Sequence, residues 1–276
     1  MNIFILAAGE GTRWGNALGA PKQLADVAGK PLLAHMLEKL HARRAQYGID
    51  RVMVVASDPK LHVLDAEFID PGKTRLTLES LLSSRPYWTE DNLILLGDVF
   101  FSDHALDTIL SHKSDLAFYG RTGKNRITRC RGKELFALRF GSAAQTRFLE
   151  AADRALAHFE KGGWDRLWVL YRALAGLDLV ETAFDESLLL KIGDITDDID
   201  SPEEYAHCAK VWRHYLNDSP WSRFMLAWYD SPFVYRAWRL PIDIKKLVLR
   251  RIPGTKLYEE RQRRLAFRRQ YRATDS

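Results

Sequence analysis

Residues 3–6 are Ile-Phe-Ile-Leu, and the chain then runs through Ala7 and Ala8 into a stretch punctuated by Gly9, Gly11, Gly15 and Gly19. A short apolar run meeting closely spaced glycines predicts a buried strand that empties into a loop whose backbone can approach a ligand. Without a Cβ, successive N–H groups can turn into one concavity, and such a nest of donors accepts phosphate oxygens. Arg13 and Lys22 add two cations, which suits a triphosphate better than a single phosphate group.

Two familiar phosphate loops are excluded by spacing. The P-loop requires Lys and then Ser or Thr directly after its second glycine, but Asn16 follows Gly15 and Ala20 follows Gly19. The dinucleotide fingerprint requires a third glycine where Trp14 stands.

What residues 6–13 do resemble is the LAAGxGTR signature of the nucleotidylyltransferases, matched at every fixed position and followed by Pro21-Lys22. The continuation Pro21-Lys22-Gln23-Leu24 and Gly29-Lys30-Pro31-Leu32-Leu33 is similar to the small branch of methylerythritol-phosphate cytidylyltransferases and molybdopterin guanylyltransferase-like enzymes. The resemblance implies a three-layer α/β/α Rossmann-like fold with a mostly parallel sheet. It also implies transfer of an NMP group from an NTP to a phosphorylated acceptor, with release of pyrophosphate. Nucleotide contacts are then expected from Leu6, Ala7, Ala8, Gly9, Gly11, Thr12, Arg13 and Lys22, with Arg13 and Lys22 catalytic.

Further along, the sequence alternates strand and helix. Residues 31–47 place Leu32, Leu33, Met36, Leu37 and Leu40 at helical spacing, with Gly48 just beyond the end. Residues 51–56 are a β-rich run closed by Ser57-Asp58-Pro59, so strand, helix and strand predict a right-handed crossover. Gly72 to Ser80 reads as a turn entering a helix. In the resembled cytidylyltransferases such a turn meets base and ribose, which makes Gly72, Thr74, Arg75 and Ser80 its counterparts and CTP the preferred nucleotide, with GTP and UTP as alternatives.

Leu93 to Leu96 form an apolar strand ending in Gly97-Asp98. By resemblance Gly97 lies beside the nucleotide and Asp98 carries a magnesium-binding carboxylate, a fit with the oxygen ligands Mg²⁺ takes. The segment Asp198-Ile199-Asp200-Ser201-Pro202-Glu203-Glu204 resembles Asp-Ile-Asp-Thr-Pro-Glu-Asp of the same family. That makes Asp200 the second metal ligand, with Asp198 near enough in sequence to assist, and Ser201-Pro202 the cap and first turn of a helix. Lys191 resembles a lysine that faces the acceptor phosphate, which makes it a third expected catalytic residue. Residues 121–131 form a polar loop rich in Lys and Arg without an acid, offering Arg121 and Lys124 to an anionic acceptor. Residues 134–140 read as an edge strand, and residues 143–160 and 164–175 as two helices forming a lid or insert.

Charge divides the chain. Residues 219–276 carry 14 Lys plus Arg against 5 Asp plus Glu, a net +9 within a total of +5, so the preceding residues carry −4. We expect a catalytic domain over residues 1–217 and a basic, aromatic-rich helical extension over 218–276. The extension would pack its aromatics on the catalytic domain or a second subunit, with an anionic membrane surface as the functional alternative and nucleic acid disfavoured. Cys130 and Cys208 lack metal-ligand spacing, no signal-like leader precedes Gly9, and a cytoplasmic setting is expected. A GT-A glycosyltransferase using a nucleotide sugar, and a non-catalytic relative that only binds nucleotide, remain alternatives.

Overall fold

The computed structural model describes residues 1–9, 14–15, 19–130, 132–161, 167–180, 185–249, 252–255, 257–259 and 262. Its strands are β1 (Asn2–Leu6), β2 (Asp26–Val27), β3 (Lys30–Pro31), β4 (Arg51–Val55), β5 (Glu67–Ile69), β6 (Asp91–Leu96), β7 (Val99–Phe100), β8 (Leu116–Arg121), β9 (Glu134–Gly141), β10 (Leu189–Lys191) and β11 (Asp197–Asp198). Its helices are α1 (Leu32–Tyr47), α2 (Thr77–Ser83), α3 (Asp103–Ser111), α4 (Gln145–Glu160), α5 (Leu167–Ala175), α6 (Pro202–Leu216), α7 (Pro220–Asp230) and α8 (Pro232–Leu249).

Seven strands make the central sheet in the order β10-β8-β9-β6-β1-β4-β5. All run parallel except β9, which is antiparallel to both β6 and β8. Alternation along β1 sends Ile3 and Ile5 to one face, under Leu33, Met36 and Leu40 of α1 and Leu106 and Ile109 of α3. Phe4 and Leu6 go to the other face, under Leu81 of α2, Phe148 of α4 and Leu170 of α5. This is the expected three-layer arrangement, and each fully buried Ile, Leu or Phe in it contributes about 1.5–3 kcal/mol.

Two expectations are corrected. Residues 134–140 do not lie at an edge: β9 is inserted between β6 and β8 and is buried on both faces. Its apolar alternation carries the same pattern an edge strand would, because sequence periodicity does not report strand order. The two helices α4 and α5 are not a lid over the site but part of the second core layer, with Ala151, Ala152 and Tyr171 fully buried. Cys130 and Cys208, 78 residues apart, meet with their sulfurs 3.4 Å from each other in a third apolar cluster that also holds Trp212.

The sites of tight approach explain two glycines. A Cβ at Gly97 would stand 2.9 Å from the Leu6 carbonyl oxygen, and one at Gly120 would stand 2.1 Å from the Glu134 carbonyl oxygen. Only glycine lets β6 and β8 close on their neighbours at the end of the sheet where the loops converge.

Candidate active site

The site forms where β1 and β6 end side by side. Leu6 pairs with Leu96, and the Gly97 N–H donates to the Leu6 carbonyl at 2.9 Å, so Asp98 is delivered to the mouth of the glycine-rich loop. From there the chain turns into β7, which pairs antiparallel with β11 through Val99–Asp198 and Phe100–Asp197. The Ile199 N–H also donates to the Asp98 carbonyl at 3.2 Å. This two-stranded ribbon bridges a separation of about a hundred residues and sets Asp198 and Asp200 beside Asp98.

One oxygen from each of Asp98, Asp198 and Asp200 lies within 4.8 Å of the others. Lys22 enters the same space from the short helical turn Lys22–Leu24, held after Pro21 by the Leu24 N–H donating to the Pro21 carbonyl at 2.9 Å. Its ammonium bonds the Asp98 carboxylate, lies 3.7 Å from Asp200 Oδ1, and donates to the Ile199 carbonyl at 3.2 Å. Burial alone would push the Lys22 pKa down. The charge and hydrogen bond of Asp98, with Asp200 and Asp198 behind it, outweigh that and hold it above the ordinary lysine value. Asp198 is pushed well above the usual carboxylate range, first by desolvation and then by Glu134, Asp197, Asp200 and Asp98. Among the described residues three carboxylates and one ammonium meet there. An all-oxygen donor set of this kind fits a hard divalent cation such as Mg²⁺, so Asp98, Asp198 and Asp200 are the residues that would hold one.

Around this cluster lies an open cavity of about 400 Å³. Leu6, Ala8, Gly9 and Leu96 form its sheet-end floor, Lys22 and Gln23 the loop side, and Thr77 and Ser80 of α2 another wall. Ser80 is buried and its hydroxyl pairs with that of Thr74 at 2.8 Å, while Gly72 takes a left-handed turn with φ +67°. Of the expected nucleotide contacts, Leu6, Ala8, Gly9, Lys22 and Ser80 line this cavity. Ala7 is buried and its N–H donates to the Val55 carbonyl at 2.9 Å. Gly11, Thr12 and Arg13 lie outside the described residues.

The acceptor candidates fall elsewhere. Arg121 is 6% exposed and is committed to the fold: its guanidinium donates to Asp197 at 2.7 Å and to the carbonyls of Gly123 and Gly132, each at 2.8 Å. Its expected role as an open acceptor cation is therefore corrected, since the strand that ends in Arg121 faces its side chain inward. Lys124 is exposed on the loop between β8 and β9. Lys191 ends β10 and pairs with Glu186 at 2.6 Å, outside the set of residues that line the cavity. Arg75 is exposed and pairs with Glu79 at 3.4 Å.

Several cavity residues escaped the sequence reading. Glu134, Leu135, Leu167 and Trp168 build the wall opposite α2. Because β9 is antiparallel, its first residues sit at the carboxyl ends of its neighbours, with Glu134 opposite Arg121 of β8. Knowing that reversal would have revealed Glu134 and Leu135. Trp14 anchors the glycine-rich loop: its indole N–H donates to the Ala20 carbonyl at 2.8 Å, and its ring meets Tyr205 of α6 edge-on at 5.7 Å.

Comparison with known proteins decides the family. The pattern that defines the MobA-like NTP transferase domain matches residues 3–179. The chain belongs to the MobA-like NTP transferase family. Among curated relatives, the bifunctional protein GlmU of Methanococcus maripaludis is 30% identical over 125 residues, covering 42% of this chain and 29% of its own length. GlmU of Pseudomonas aeruginosa is 37% identical over 108 residues, covering 36% of this chain and 22% of its own length. The chain thus spans under a third of the length of the curated relatives it matches. A Bacillus anthracis protein assigned as a glucose-1-phosphate thymidylyltransferase, solved with sucrose, superposes with a TM-score of 0.54 at 14% identity, over 81% of this chain and 99% of that one. A nucleotidyl transferase from Methanothermobacter superposes at 0.51 with 17% identity, over 76% and 96%. These likenesses show the fold; the described start of the signature, residues 6–9, and the carboxylate cluster lie at the same end of its sheet.

Proposed function

We propose that this protein transfers an NMP group from an NTP to a phosphorylated small molecule and releases pyrophosphate, using Mg²⁺. The observation that carries the reading is the convergence of Asp98, Asp198, Asp200 and Lys22 at the mouth of the glycine-rich loop. An acceptor phosphate and a nucleotide triphosphate repel each other, so the first requirement is cationic charge held where the two meet. A bound divalent ion would neutralise triphosphate oxygens there. Lys22, kept protonated by its acidic neighbours, supplies fixed positive charge to the α-phosphoryl group and the departing pyrophosphate. Arg13, expected on the same loop, would add a second cation. The acceptor phosphate is ionised at neutral pH and needs no side-chain base, which leaves positioning and electrostatics as the work of the site.

The nucleotide base is assigned to the wall of Thr77 and Ser80, backed by Thr74 and Gly72, with CTP the first candidate. The acceptor, a sugar, alditol or similar phosphate, is assigned to the wall of Glu134 and Trp168, with Lys124 and Lys191 as the outer cations. The experiment is a pyrophosphate-release screen of the four NTPs against such phosphates, with Mg²⁺ and with chelator. One NTP and acceptor pair should give release that vanishes without metal, and Lys22→Ala should lower turnover while leaving the fold intact. Undiminished pyrophosphate release by that variant would sink the scheme.

A further inference from the structure

Among the described residues, α7 is anchored by one face and exposed on the other. On the inner side of α7, Ser222 is buried and its hydroxyl meets His214 Nδ1 of α6 at 3.2 Å, and the Tyr229 ring packs edge-on against His207 at 5.5 Å. Leu226 and Tyr229 lie against the third apolar cluster. On the outer side, Trp221, Phe224 and Trp228 recur at spacings of three and four, and their rings stack along the helix at 5.5 and 6.4 Å while remaining at least half exposed. The aromatics expected to pack on the body of the protein are thus split, Tyr229 inward and these three outward. α8 follows after the single residue Ser231 and repeats the pattern: Phe233 is 80% exposed, and Leu240, Ile244 and Val248 lie on the same helical face and are also exposed. Arg236 and Lys245 stand exposed between them.

We infer that α7 and α8 form a surface-seeking anchor that lays these aromatic and aliphatic stripes into an anionic lipid interface. Charge selects this occupant. Residues 220–249, which hold α7 and α8, carry five Lys plus Arg against two Asp, a net +3, so a second copy meeting the same face by two-fold symmetry would oppose like charge to like. Anionic headgroups complement the charge, and the boundary between headgroups and acyl chains takes indole and phenyl rings at the depth where amphipathic helices lie. Among the described residues no helix is long and apolar enough to cross a membrane, so the anchor lies on the surface rather than spanning it. The inference is independent of the chemistry proposed for the cavity.

The test is co-flotation of the full chain with vesicles of phosphatidylcholine alone and of phosphatidylcholine mixed with phosphatidylglycerol. The chain should float with the anionic vesicles only, and raising salt to about 1 M, where screening shortens to about 3 Å, should weaken binding. The combined variant Phe224→Ser, Trp228→Ser and Phe233→Ser should bind at least tenfold more weakly while keeping its circular dichroism and its pyrophosphate release from NTP. Arg236→Glu with Lys245→Glu should also weaken binding, and should lose most of its salt dependence. Failure to float with anionic vesicles overturns the inference. So does binding that ignores lipid charge, or a solution dimer that the aromatic substitutions dissolve.

Discussion

Asp197 turns into the core, where Arg121 donates to it at 2.7 Å and the Thr128 hydroxyl donates to its other oxygen. Asp198, the next residue of β11, turns to the cavity and joins Asp98 and Asp200. Strand alternation puts adjacent acids on opposite sides. The first is fully buried and hydrogen-bonded on both oxygens; the second faces a site where, among the described residues, three acids meet one lysine. A buried charge so paired is part of the fold, and a cluster of acids lining a cavity offers oxygen ligands to a cation.

The largest expected effect lies on the closed side. Arg121→Met removes the partner of an acid that water cannot reach, which should cost about 3–5 kcal/mol of stability, read as a lower urea midpoint. A cost under about 1 kcal/mol would show that Asp197 finds another partner and would erase the contrast with Asp198. Pairing Arg121→Met with Asp197→Leu should recover much of the loss, because the charge is then gone from both sides.

On the open side the balance inverts. Asp98→Asn and Asp200→Asn should each lower pyrophosphate release about 10²–10³-fold, the scale for removing one electrostatic contact at a reacting phosphate. For Asp200→Asn stability should hold or rise, since it relieves repulsion among three carboxylates, whereas Asp98→Asn also removes the carboxylate bonded to buried Lys22 and should cost stability. Melting curves measured beside turnover check both halves. If stability of Asp200→Asn falls in step with activity, that acid is structural like Asp197.

Gly97→Ala probes the link between fold and site. A methyl group 2.9 Å from the Leu6 carbonyl oxygen meets backbone that cannot swing away, so β6 must part from β1 at a cost of about 1–3 kcal/mol. Asp98 is the next residue and should move with it, so turnover should fall more than stability does. Equal turnover in the variant and the parent would mean that the position of Asp98 tolerates a shift of the strand that carries it.

The glycine signature, the strand ending in Gly97-Asp98 and the capped turn at Ser201-Pro202 were legible because each is local: a few residues fix the backbone and the chemistry together. The Ser201 hydroxyl does accept from the Glu204 N–H at 3.3 Å, and α1 ends where Gly48 stands. What was not legible depends on pairing between distant segments. Nothing within residues 134–141 says that they run antiparallel between two parallel strands, so Glu134 and Leu135 stayed hidden as cavity residues. Arg121 read as an open cation because a basic stretch looks the same whether its first residue points to water or to a buried acid 76 residues on. The proximity of Asp98 and Asp200 came from family resemblance, and the β7–β11 ribbon supplies its physical cause.

The smallest stability effect separates resemblance from geometry at Lys191. Its ammonium bonds Glu186 at 2.6 Å, but the two side chains are 53% and 49% exposed. Water screens such a pair, so Lys191→Ala should shift stability by less than about 0.5 kcal/mol. If the lysine leaves Glu186 to meet an acceptor phosphate, the same variant should raise the acceptor KM severalfold and leave the KM for NTP unchanged. A charge on the outer rim attracts the incoming anion without touching the α-phosphorus, so kcat should change little. Unchanged constants for both substrates would reduce Lys191 to a solvated residue on an edge strand. The acceptor path would then run past Lys124 on the β8–β9 loop, and the division between closed and open charges would extend no further than the ribbon that carries Asp197 and Asp198.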